Sequence, residues 1–160
     1  VTSSQTYQKG SWILHMLRGV MGTDDFWKGI QSYYKKYQNL NATTADFRRE
    51  MEEASGLDLK QFFDQWLYQP GHLVYRGSWI FDKKTKEVNI TLDQVQTDGS
   101  LFKMPVQVGV FLPGQSRPVI NTLQVNEKTN VFTLQFEVMP EKIVLDPHSW
   151  VLMESSFVKK

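Results

Sequence analysis

Apolar residues recur along the first seventy positions with the spacing of helices, and after Leu73 the spacing changes to two. The stretch Leu59–Gly71 marks the change. Leu59, Phe62, Phe63, Trp66 and Leu67 fall at i, i+3, i+4, i+7 and i+8, the apolar stripe of an amphipathic helix, and Pro70-Gly71 then stops it. Three helices are predicted ahead of it. The first runs from about Thr6 to Met21, with Tyr7, Gly10, Leu14, Leu17 and Met21 on one face, widened by Ile13, Met16 and Val20. Its polar stripe is narrow (Gln8, Ser11, His15, Arg18), so this helix is expected to be covered on most sides. Gly10 costs up to ~1 kcal/mol relative to alanine inside a helix and so marks a place of close approach. The second helix opens at Thr23-Asp24-Asp25, a capping hydroxyl and two acids at the positive end, and buries Phe26, Ile30, Tyr33, Tyr34 and Tyr37. The third starts at a capping box, Thr43-x-x-Asp46, and turns Phe47, Met51 and Ala54 inward. Its Arg48/Glu52 and Arg49/Glu53 pairs face solvent, and Gly56 ends it. Asp58 is expected to cap the fourth helix.

Beyond Leu73 about seven short strands alternate apolar and polar positions between turns. They begin with Leu73–Phe81 and Val88–Leu92, and close with Ile143–Leu145 and Trp150–Leu152 around Asp146-Pro147. The reading is an α+β chain in two parts: a four-helix antiparallel cluster over 1–72, then an antiparallel immunoglobulin-like β-sandwich over 73–160.

Composition narrows the chemistry more than the fold. A length of 160 residues allows one large domain or two small ones with real cores. The net charge of +1 argues against a nucleic-acid partner. No apolar run approaches the ~20 residues of a membrane span. The absence of cysteine removes disulfides and thiolate metal sites but selects no compartment. The chain opens on Val1 rather than methionine and runs straight into a helix, so it is read as a piece of something longer.

No self-contained catalytic site emerges. His15, His72 and His148 lack histidine or carboxylate partners at helical ligand spacing, and HExxH, phosphate loops and G-x-S-x-G elbows are absent. Asp46, Glu50, Glu52, Glu53 and Asp58 sit where caps and ion pairs belong. Tyr7 reads, on its own, as the first aromatic of a helix face.

Several segments nevertheless match a known family in order. Tyr7-Gln8-Lys9-Gly10 followed by Ile13–Arg18 resembles the Y-x-K-G-x-x-x-L-x-x-L segment of the M1 family of zinc aminopeptidases, the gluzincins. Ala42–Phe47 is similar to the family's TT-x-DF helix start, and Phe62–Gly71 to its FF-x-x-W-L-x-x-P-G. The resemblance covers roughly the first 72 residues, and the following all-β part is what the family would place there. It implies a peptide substrate, and zinc in the full-length parent with none bound by this stretch. It also implies a catalytic role for Tyr7, whose hydroxyl would donate a hydrogen bond to the oxyanion of the tetrahedral intermediate. The zinc ligands and general base of that family are not in this sequence, so these residues alone are expected to be inactive. A rival reading is a non-catalytic binding module, whose signature would be exposed aromatics such as Trp79 or Phe111 on an outer sheet face. The apolar excess of the first helix further predicts a homodimer of the isolated chain through the exposed helical face.

Overall fold

The computed structural model describes the chain from residue 4 onward, with side chains from Tyr7. It contains four helices and two β-sheets, an α+β architecture divided into two compact units, Val1–Gln69 and Pro70–Lys160.

In the first unit α1 spans Ser4–Met21, α2 Thr23–Tyr37, α3 Thr44–Ser55 and α4 Lys60–Phe63. The capping box at Thr43 forms as its sequence requires: Asp46 N donates to Thr43 Oγ1 (3.3 Å) and Thr43 N donates to Asp46 Oδ2 (2.9 Å). Gly56 takes the left-handed conformation and closes α3 onto the Glu52 carbonyl (2.8 Å). The expected cap of α2 does not form. Gly22 occupies the cap position without a side chain to offer, and the Thr23 hydroxyl instead accepts a hydrogen bond from Arg18 Nε (3.2 Å).

The fourth helix departs further from its pattern. After one α-turn the chain winds as a π-helical turn over Asp64–Tyr68, with Gln69 N donating to the Asp64 carbonyl (3.1 Å). The wider turn changes the angular step. Gln65 therefore enters the interior beside Trp66, its amide oxygen accepting from Gln61 Nε2 (2.6 Å), while Leu67 leaves the stripe and is 38% exposed. Ile13, Met16, Leu17, Phe26, Met51, Leu59, Phe62, Phe63 and Trp66 form the core of this unit. Edge-to-face contacts link Tyr33, Phe47, Phe63 and Phe62 through it.

The second unit has seven strands: β1 Leu73–Asp82, β2 Glu87–Gln94, β3 Met104–Phe111, β4 Val119–Val125, β5 Thr129–Gln135, β6 Lys142–Leu145 and β7 Met153–Lys159. One sheet has the order β5-β2-β1-β7 and the other β4-β3-β6. Alternation does what the sequence predicts, burying Val88, Ile90 and Leu92 on β2 and Val106, Val108 and Val110 on β3. Gly71, just ahead of β1, has φ 91°, and a Cβ there would land on the Asp98 carboxylate.

One pairing contradicts the all-antiparallel expectation: β7 runs parallel to β1, Leu73 opposite Met153 and Trp79 opposite Lys159. Trp150–Leu152, read as a closing strand, lies outside the sheets. The cause is local. Beyond β6 the chain turns with Asp146 and Ser149 in the left-handed region, and the buried Asp146 carboxylate accepts from Trp150 N (2.9 Å) and Val151 N (2.8 Å). Held in that turn, the chain leaves the three-stranded sheet and enters the other alongside β1, in the same direction.

Candidate functional site

Tyr7 lies one turn into α1. Its carbonyl accepts a hydrogen bond from Ser11 Oγ (2.8 Å), and the side chain is 72% exposed. The predicted single face of α1 divides in two. Ile13, Met16, Leu17 and Met21 point into the core, whereas Tyr7, Gly10 and Leu14 (42% exposed) run along the open side. Outside the helix's own backbone, no atom of the described residues lies within 4 Å of where a Gly10 Cβ would sit. The close approach that Gly10 suggested is thus not made by the described residues.

Gly10 and Leu14 instead border an open groove of about 400 Å³, whose other apolar walls are Tyr33, Phe47, Phe63 and Leu67, with Thr43 and Thr44 at its edge. Sequence reasoning did not find this groove, because its walls come from four separate segments. Helical spacing puts residues on a line but does not say which lines meet.

The charged groups are engaged structurally. Glu50 is 1% exposed and accepts from Ser32 Oγ (2.7 Å) and Lys36 Nζ (2.5 Å). The hydrogen bond from Lys36, then that from Ser32, hold its carboxyl below the usual range, and the Lys36 ammonium is raised in return. The side-chain and backbone hydrogen bonds of Thr43 likewise hold Asp46 low. Arg49, expected to pair with Glu53, is 3.4 Å from Asp46. Arg48 pairs with Glu52 as predicted, at 3.5 Å.

The three histidines do not converge. His15 packs edge-on against Trp12 (5.5 Å), His72 Nε2 is 3.2 Å from Glu154 Oε1, and His148 Nδ1 is 2.8 Å from Gln107 Oε1. Among the described residues no group of three or more His, Cys, Asp or Glu is placed to hold a metal ion, so these residues do not fit a zinc site. Trp79 is buried, with Lys159 Nζ 5.0 Å from its ring, and Phe111 is half-buried, so neither aromatic of the binding-module signature is an exposed platform.

Comparison with known proteins agrees with the motifs. The Peptidase family M1 domain matches residues 1–66. The aminopeptidase N of Lactococcus lactis subsp. lactis is 33% identical over 105 residues, covering 65% of this chain and 12% of that protein. The human (Homo sapiens) glutamyl aminopeptidase is 46% identical over 69 residues, 43% of this chain and 7% of its own length. The aminopeptidase N of Escherichia coli (strain K12) is 28% identical over 151 residues, 84% of this chain and 17% of its own. The chain thus spans less than a fifth of each of these relatives. Among solved structures, the crystal structure of Legionella pneumophila aminopeptidase A in complex with aspartic acid superposes with a TM-score of 0.78 at 18% identity, over 96% of this chain and 18% of that one, a likeness of fold. The family domain, the aminopeptidase relatives and the ordered motifs from Tyr7 to Gly71 agree: residues 1–66 are part of a peptidase family M1 domain.

Proposed function

We propose that this chain is part of a zinc-dependent aminopeptidase that removes N-terminal residues from peptides. Residues 1–72 are read as the helical C-terminal part of its catalytic domain, and residues 73–160 as an immunoglobulin-like β-sandwich domain. Tyr7 is assigned the oxyanion-stabilising hydrogen bond. The observation that carries this reading is the coincidence of motif and geometry. Tyr7 opens the Y-x-K-G segment inside the matched family domain, and its side chain is directed out of its own unit rather than into the core. A phenolic O–H fixed on a helix is a preorganised donor for charge that develops only in the transition state.

The residues described do not make a zinc site, so no step through the metal is assigned to them. The proposal places the metal and the water-activating base elsewhere in the protein and leaves this chain inactive alone.

The test has two arms. In the full-length enzyme Tyr7→Phe is expected to lower kcat by ~10²–10³, the usual cost of removing one oxyanion donor, with little change in KM. A near-wild-type kcat removes Tyr7 from the mechanism. The purified 160-residue chain is expected to release no amino acid from aminoacyl substrates. Chelator-sensitive, zinc-stimulated turnover by it would overturn the assignment of the metal site to other segments.

A further inference from the structure

We draw no further inference here: the strongest candidate, the open apolar groove of the helical unit bordered by Gly10, Leu14, Phe47 and Phe63, is an unpartnered face, and nothing in the structure shows what covers it.

Discussion

The contact between α2 and α3 makes a sharp prediction through Gly29. This glycine is buried, and a Cβ built on it would lie 2.6 Å from Met51 Sδ, 3.2 Å from Met51 Cε and 3.3 Å from Ala54 Cβ. Met51 is fully buried, so its side chain cannot swing into water to make room. Gly29→Ala therefore overpacks the interface, which costs about 1–3 kcal/mol. Alanine's better helix propensity returns about 1 kcal/mol, leaving a net loss of roughly 1 kcal/mol. Met51→Ala alone is expected to lose about 2–5 kcal/mol, as truncation of a buried methionine does. In that background the clash with Met51 is gone, the approach to Ala54 Cβ stays and the propensity gain remains, so Gly29→Ala becomes stabilising by up to about 1 kcal/mol. The double-mutant cycle then shows a coupling of roughly 2 kcal/mol. Urea titrations followed by the helical circular dichroism signal suit the measurement, since all the helices lie in the first unit. A Gly29→Ala variant that stabilises the otherwise unchanged chain, or a coupling under about 0.5 kcal/mol, would mean that the flexible end of Met51 shifts aside at little cost and the pair is not overpacked.

Three further outcomes are expected. Trp66, 3% exposed within the π-helical turn, should cost about 3–5 kcal/mol when replaced by alanine, and a loss under about 1 kcal/mol in the same titration refutes its anchoring role. Glu50, held low by Lys36 and Ser32 with Arg49 nearby, contributes stability that is present above its unfolded pKa of ~4.3 and is lost as pH falls through its lower folded value. Glu50→Gln should thus be less stable by roughly 1–2 kcal/mol at neutral pH, the low end because Lys36 is half-exposed. The gap between the two should close as titrations approach about pH 3, and a gap constant with pH contradicts the account. Finally, the expected two-fold dimer of the isolated chain rests on the apolar excess of the first helix read from the sequence alone, and no contact in the structure bears on it. Sedimentation equilibrium showing a monomer at high concentration rules this out.

What the sequence made legible was local. The helical and strand periods, the Thr43–Asp46 box and the Gly56 terminus depend on residues a few positions apart and appear in the structure, although Tyr34, expected on the buried face of α2, is exposed. What it hid depends on partners distant along the chain. Glu50 looks like one more acid on a charged helix, and only the arrival of Ser32 and Lys36 from α2 makes its burial tolerable. Gln65 breaks no α-helical pattern on paper, yet the π winding over Asp64–Tyr68 takes it inside. Likewise β7 carries no mark of parallel pairing, because the sense of a pairing exists only relative to its partner, and that partner is β1 at the far end of the unit.

The same distinction bears on Tyr7. Exposure by itself does not single it out: Tyr34 and Tyr68 are 70% and 69% exposed against its 72%. All three present a phenol to water, and a solvent-facing tyrosine is ordinary. What separates Tyr7 is its place in the Y-x-K-G segment, on the helix whose other side is pinned by Ile13, Met16 and Leu17. That pinning gives the hydroxyl a fixed origin, which a preorganised donor requires. Tyr34 and Tyr68 are therefore the controls that the assignment needs. Their phenylalanine variants in the full-length enzyme should keep kcat within about twofold, since exposed tyrosines without a role lose little on deletion of the hydroxyl. If either loses as much as Tyr7→Phe, the effect reports general damage to the helical unit, and the oxyanion assignment fails with it.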